Sequence, residues 1–303
     1  MSSRNRPFLA LGLRLLATAA LATLYMMVKL VNRHGVSLPE IMFWRQAAAI
    51  PLLGGWLLAK GQLGNLRSNR LGSHALRSAM GTFGMISLFG AQILLPLPVA
   101  TILGFTTPLF AVLIAALVFH DKPGLLRWAA VVLGFAGVLI IAAPGGGASS
   151  GGAGPISPLG AAAGLASGLL VAVISFQIRD LTKTETSTAV VFYFAVFSAL
   201  FLLPVLPFFS SHHTPRVWAE IAALGLIGTA AQMLLTAALR FGAASSVLVM
   251  DYATLVWTTF YGWLVFDQLP PAHTWAGAPL IVAAGLAIAL REHRQHQASK
   301  AAP

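Results

Sequence analysis

The chain has 303 residues, of which 57% are hydrophobic and only 9% charged, with a mean hydropathy of +0.82. Soluble domains carry about 25% charged residues, so this composition excludes an ordinary globular enzyme. The net charge of +11 does not indicate nucleic acid, because the basic residues form short clusters between apolar runs and no basic face, and with no cysteine there are no disulfides, Fe–S clusters or thiolate metal sites.

Taken in order, the apolar runs predict ten membrane-spanning helices near 8–32, 39–60, 71–95, 97–119, 124–143, 158–180, 186–208, 216–240, 243–266 and 271–291. Each is close to the ~20 residues that cross a bilayer at ~1.5 Å per residue. Arg4 and Arg6 precede the first run. No small-residue cleavage site leads into a polar domain, so this run reads as an uncleaved span. Prolines punctuate the breaks, among them Pro39, Pro96, Pro123, Pro215 and Pro270. The uncharged stretch PGGGASSGGAGPISP, Pro144 to Pro158, reads as a flexible linker.

Charge sets the expected orientation. With the N-terminus in the cytoplasm, fifteen of the nineteen Lys and Arg fall at cytoplasmic ends, and only Lys29, Arg33, Arg45 and Arg216 lie outside. That bias obeys the positive-inside rule. It places both termini in the cytoplasm.

The chain also matches itself. Shifted by 147 positions, residues 81–142 align with 228–289 without a gap, and 16 of 62 positions are identical, among them Gly81/Gly228, Thr82/Thr229, Pro123/Pro270 and Trp128/Trp275. Five spans per half is an odd number, so the second half enters the membrane inverted. Inverted repeats are typical of secondary transporters, with the binding site at the repeat interface near the midplane. The expected fold is an all-α polytopic membrane protein. Residues 1–143 form a first five-helix repeat, 144–157 a Gly-rich linker, 158–291 a second, inverted five-helix repeat and 292–303 a cytoplasmic tail.

This pattern resembles the drug/metabolite transporter superfamily, in its EamA type, over nearly the whole chain. The family's Lys late in the first span is matched by Lys29 in LYMMVKL, its Arg early in the second by Arg45 in MFWRQ, its Pro in the fourth by Pro108 in TTPLF, and its small residues in the fifth by Gly134 and Gly137. Where the family carries Glu after the fourth and ninth spans, this chain has His120 with Asp121, and Asp267. The second-half counterpart of Pro108 is Leu255. Size and aromatic content are similar to the YddG-type bacterial exporters of aromatic amino acids. The resemblance implies alternating access at a central cavity and export of small metabolites, with amino acids, aromatic ones included, as the favoured class.

The candidate substrate-binding residues are Tyr25, Thr82, Phe83, Thr101, Phe105, Thr229, Gln232, Thr236, Asp251, Tyr252 and Thr254. Thr82 and its repeat mate Thr229 head polar or aromatic faces on the third and eighth spans, facing either a wet cavity or a neighbouring helix. Asp251 is the one carboxylate within an apolar run of 24 residues, Ala243 to Phe266, and shares a helical face with Thr254, Thr258 and Tyr261. Its mate is Gly104, so the acid belongs to one half only. It either holds an ammonium group or a proton, or pairs with an arginine at the inner end such as Arg14 or Arg77. Tyr25, Phe83, Phe105 and Tyr252 suit an aromatic substrate or simple packing. Arg45 and Arg77 are read as snorkelling to the nearest interface. Gly160, Gly164 and Gly168 are read as a close-packing face. His34, His74, His212 and His213 are assigned to loops, and no HExxH pattern suggests a metal.

No GxxxxGK[ST] loop is present to hydrolyse ATP, and no cofactor motif is found. The implied partners are a small-molecule substrate and the lipid bilayer, with no nucleic acid, and a monomer is compatible with the sequence. A passive facilitator or channel is the alternative, although no ring of like charge lines a pore. A lipid-modifying membrane enzyme is a further alternative, but it would need a clustered catalytic set, and none is found.

Overall fold

Each predicted apolar run contains α-helix in the computed structural model, which describes residues 7–121, 123–142, 156–241 and 250–301. The helices are α1 (Pro7–Arg33), α2 (Leu38–Ala59), α3 (Leu71–Leu94), α4 (Leu97–Gly104), α5 (Thr107–Leu117), α6 (Leu125–Ala142), α7 (Pro158–Leu181), α8 (Ser187–Leu202), α9 (Leu206–Phe209), α10 (Pro215–Phe241), α11 (Ala253–Phe266) and α12 (Ala272–Ala301). Short 3-10 turns lie at Leu63–Leu66 and Met250–Tyr252, and the described residues contain no strand. Most of the expected linker lies outside them.

Seven stretches among the described residues are long and apolar enough to cross a membrane: Leu11–Arg33, Leu38–Ala59, Leu97–Leu117, Leu125–Ala142, Pro158–Leu181, Pro215–Leu235 and Ala272–Arg291. The other three expected spans differ for visible reasons. α3 has 24 residues but carries His74, Arg77 and Gln92. α8 has 16 residues before the chain turns into α9, and α11 has 14 preceded by a 3-10 turn.

Local sequence sets the helix ends. The Ser37, Ser157 and Thr186 hydroxyls accept from the backbone N–H of Glu40, Gly160 and Ala189 at 3.3, 3.3 and 3.1 Å, capping α2, α7 and α8. Gly35 and Gly61 follow α1 and α2 with φ of +90° and +64°, where a Cβ would be strained. His120 and Asp267 also adopt left-handed backbone, with φ of 56° and 50°. These two are repeat mates and stand just beyond α5 and α11. Asp and His are among the few side chains that tolerate this conformation.

Pro108 explains a break in the fourth run. It lacks the N–H that would bond Gly104, and its ring would crowd that carbonyl. The chain leaves α4 at Gly104 and re-enters α5 at Thr107. The Thr106 and Thr107 hydroxyls donate to the Leu103 and Gly104 carbonyls at 2.6 and 2.8 Å, satisfying freed acceptors.

The principal helix pairings are α1 with α10, α3 with α7, α6 with α12, α2 with α8, α2 with α10, α3 with α8, α1 with α11, α7 with α4 and α5, and α4 with α11. α6 and α12 run antiparallel: Gly124 meets Arg291, whereas Gly137 meets Gly277 and Ile281, and Ile141 meets Gly277. The backbones touch at the two glycines. A Cβ on Gly137 would lie 2.7 Å from the Gly277 carbonyl oxygen, and one on Gly277 would lie 2.5 Å from that of Gly137. On α7, Cβ atoms at Gly160, Gly164 and Gly168 would strike Leu95, Leu103 and Thr106, so this face packs closely, as expected.

Large apolar side chains face outward, with Leu125, Phe208 and Leu117 at 87%, 84% and 72% exposure, as befits a lipid-facing surface. Arg14, Lys29, Glu40, Gln46, His74, Arg77 and Gln92 are buried inside. His74 lies within α3 and is not a loop residue; its ring packs against Tyr193.

Candidate functional site

α2, α3, α8 and α10 line a part-open cavity of about 70 Å³ of mixed character, with Ala49, Leu53, Val191 and Ala195 among its apolar walls. Arg45 and Gln46 enter it from α2, Arg77 from α3, Phe194 from α8, and Thr229 with Gln232 from α10. Arg45 lies seven residues into α2 and Arg77 six residues into α3, so each is roughly 10 Å from its helix start. Both cations line the same cavity from neighbouring helices.

Neither arginine snorkels. Arg77 is only 9% exposed, and its guanidinium lies 3.9 Å above the Phe194 ring. Repeat-mate glycines make room for this arrangement. A Cβ on Gly81 would sit 2.6 Å from the Phe194 ring, and one on Gly228 would sit 3.2 Å from Arg45 Nε. Arg45 Nη1 donates to Gln46 Oε1 at 3.0 Å and to Met85 Sδ at 3.2 Å, while its carbon Cζ is 5.7 Å from the Phe89 ring centre. Arg45 Nε, Arg77 Nε, Arg77 Nη1 and Gln46 Nε2 are buried without a hydrogen-bond partner among the described residues.

Asp251 stands in the 3-10 turn at Met250–Tyr252, ahead of α11, and not inside a continuous α-helix as expected. Arg14 grips it with two bonds, Nε to Oδ1 and Nη2 to Oδ2, both 2.6 Å. Arg14 Nη1 also donates to the Leu235 carbonyl at 3.3 Å. Of the two roles the sequence leaves open for Asp251, the geometry displays the arginine pair. Tyr25 lies within electrostatic reach of both Arg45 and Asp251.

The other expected site residues divide. Phe105 and its repeat mate Tyr252 meet edge to face, with ring centres 4.8 Å apart, between α4 and the start of α11. Thr82 donates back to the Ser78 carbonyl at 2.8 Å and across to Ser198 Oγ at 3.0 Å, which makes it interhelical glue. Thr229 and Thr101 bond the Gly225 and Leu97 carbonyls four residues earlier. Thr254 is buried in α11. Phe83 is 64% exposed on the outer surface of the helix bundle and does not line the cavity. The side chain of Thr236 lies outside the described residues.

Sequence reasoning passed over Arg45, Arg77 and Gln46 as cavity residues. The available signal was the shortage of acids, with eight Asp and Glu against nineteen Lys and Arg. Two further missed contacts lie beside the turn between α1 and α2. There His213 Nε2 meets the buried Glu40 Oε1 at 3.0 Å, and His34 Nδ1 meets Glu220 Oε2 at 2.6 Å. Lys29, buried at the end of α1, donates to the Leu95 carbonyl and to Gln268 Oε1.

The chain matches the profile of the EamA-like transporter family over residues 8–143 and 158–290. It is 30% identical over 253 residues to a riboflavin transporter of Vibrio cholerae, covering 82% of each chain. It is 31% identical over 278 residues to the pseudopaline exporter CntI of Pseudomonas aeruginosa, covering 90% of this chain and 94% of that one. An S-adenosylmethionine uptake transporter of Rickettsia prowazekii is 25% identical over 234 residues, covering 76% and 75%. A solved crystal structure, 21% identical, superposes with a TM-score of 0.58 over 93% of this chain and 98% of that one, and so shares its fold.

Proposed function

Because the chain belongs to the EamA-like transporter family of multi-pass membrane proteins, we propose that it is a secondary carrier. In this reading it exports small metabolites, amino acids and aromatic ones among them, by alternating access between two inverted five-helix halves. Relatives in this family are transporters, and the chain is not an enzyme.

The observation that carries the reading is the contact between Phe105 and Tyr252. Two residues that hold the same place in two repeats can touch only beside the axis that exchanges the repeats. The same exchange turns the α1–α10 pairing into α7–α3, turns α2–α10 into α8–α3, and returns α2–α8, α6–α12 and α4–α11 to themselves. It also carries His120 onto Asp267, which share a left-handed backbone. Antiparallel α6 and α12 fit an axis in the membrane plane. Two halves that pack through such an axis can rock about a site between them. The proposed setting is the bacterial inner membrane, with both termini cytoplasmic.

Reconstituted protein tests this by counterflow. Vesicles preloaded with phenylalanine or tryptophan should accumulate the labelled amino acid transiently and in a saturable way. Flux that never saturates and shows no counterflow would indicate a passive channel. No flux of either would remove amino acids from the reading.

A further inference from the structure

Given the carrier reading above, we infer that the cavity between α2, α3, α8 and α10 is the seat of an anionic group of the substrate, a carboxylate held jointly by Arg45 and Arg77.

The first support is an accounting of charge. The chain has eight acidic residues. Five already face basic partners: Glu40 with His213, Asp180 with Arg70, Glu185 with His74, Glu220 with His34, and Asp251 with Arg14. Asp121 and Asp267 stand exposed beyond α5 and α11, and Glu292 follows the last apolar run. Among the described residues no acid remains for the two cavity arginines. Two guanidiniums without an acidic partner in the interior of a membrane protein are expensive, and such charges mark substrate paths.

The second support is geometry. Arg77 is nine-tenths buried, yet Nε and Nη1 have no acceptor among the described residues, and Arg45 Nε has none. These are donors of the planar fork that suits a carboxylate in bidentate fashion. The Arg77 face is taken by the Phe194 ring, which leaves the donor edge free for a ligand. The volume of about 70 Å³ has room for roughly five water-sized groups. That accommodates a carboxylate in place of such waters, and the cavity is part-open, so the remainder of the substrate extends beyond it.

The third support is asymmetry. Extended four residues before the matched stretch, along α3 and α10, the shift of 147 sets Leu224 opposite Arg77. The fold therefore does not require a cation at that position, and one half alone supplies it.

Purified protein in detergent tests the inference with three probes of one skeleton: phenylalanine, 3-phenylpropionate and phenethylamine. Binding is read by thermal shift and by quenching of tryptophan fluorescence. The two carboxylates should bind and the amine should not. Arg77→Gln and Arg45→Gln should each weaken carboxylate binding about tenfold or more, and Arg77→Lys should restore part of the loss. The ligand-free Gln variants should melt at or above the wild-type temperature, because a buried unpaired charge has gone; a marked fall would assign the arginines to structure. Equal binding of the amine, no binding of either carboxylate, or wild-type carboxylate affinity in both Gln variants would overturn the anion site. Phenylalanine counterflow separates the two readings. If it proceeds unchanged in variants that bind carboxylate normally, the carrier stands and the anion site falls. If carboxylate binding depends on the arginines but no solute moves, the site stands and the carrier reading falls.

Discussion

Replacing Asp251 by Asn keeps its size and removes its charge. Arg14 is 6% exposed at its side chain and Asp251 37%, so the two partners stand to lose different amounts. Asn offers one acceptor oxygen where the carboxylate offers two, and its amide hydrogens would oppose an arginine N–H. A charge-assisted hydrogen bond contributes about 1.5–3 kcal/mol. Stranding one member of a fully buried pair costs ~3–5 kcal/mol. The retained side-chain oxygen still accepts one bond from Arg14 and water reaches that side, so Asp251→Asn should fall below that range, at about 2 kcal/mol. Arg14→Met should cost less, about 1 kcal/mol, because the stranded carboxylate can hydrate. The double variant should then be more stable than Asp251→Asn alone, with a coupling of about 1–2 kcal/mol. Equilibrium unfolding in mixed micelles, followed by tryptophan fluorescence, supplies the four free energies of the cycle. Additive losses would refute the pair as drawn. The same Asn variant bears on the alternatives for Asp251 in transport. Weaker phenylalanine binding at every pH fits an ammonium-holding role, and a flattened pH response fits a proton carrier. Wild-type transport with a wild-type pH response leaves Asp251 as a helix tie only.

Two further outcomes follow. Gly137→Ala puts a methyl against the Gly277 carbonyl, which as backbone cannot yield, and should destabilise by about 1–3 kcal/mol, whereas Gly55→Ala, with nothing within 4 Å, should be neutral or stabilising; equal effects in the same unfolding assay would count against the α6–α12 contact. In this cysteine-free chain, Lys183→Cys between α7 and α8 should react with an impermeant maleimide only from the cytoplasmic side, and His212→Cys between α9 and α10 only from outside; reversed labelling would overturn the orientation.

The sequence alone determined the class of the molecule, because spacing is what the bilayer selects. Runs of about 20 apolar residues, breaks at proline and the excess of Lys and Arg at alternate ends are all local in the chain. The shift of 147 is equally linear, and it pairs His120 with Asp267 and Phe105 with Tyr252 before any coordinates. What it could not supply was which side of each helix meets which neighbour. Phe83 and Thr82 are adjacent in sequence, yet one is exposed on the outer surface of the bundle and the other bonds Ser198 on α8. Arg14 and Asp251 are 237 positions apart, and only packing of α1 beside α11 turned an isolated carboxylate into half of a pair. Arg45 and Arg77 have the same length and flexibility as arginines that snorkel, so sequence favoured an escape to the interface. Tertiary structure decided otherwise, because Gly81 and Gly228 open space beside them and Phe194 offers a ring face, which holds both cations in the interior where an anion would have to meet them.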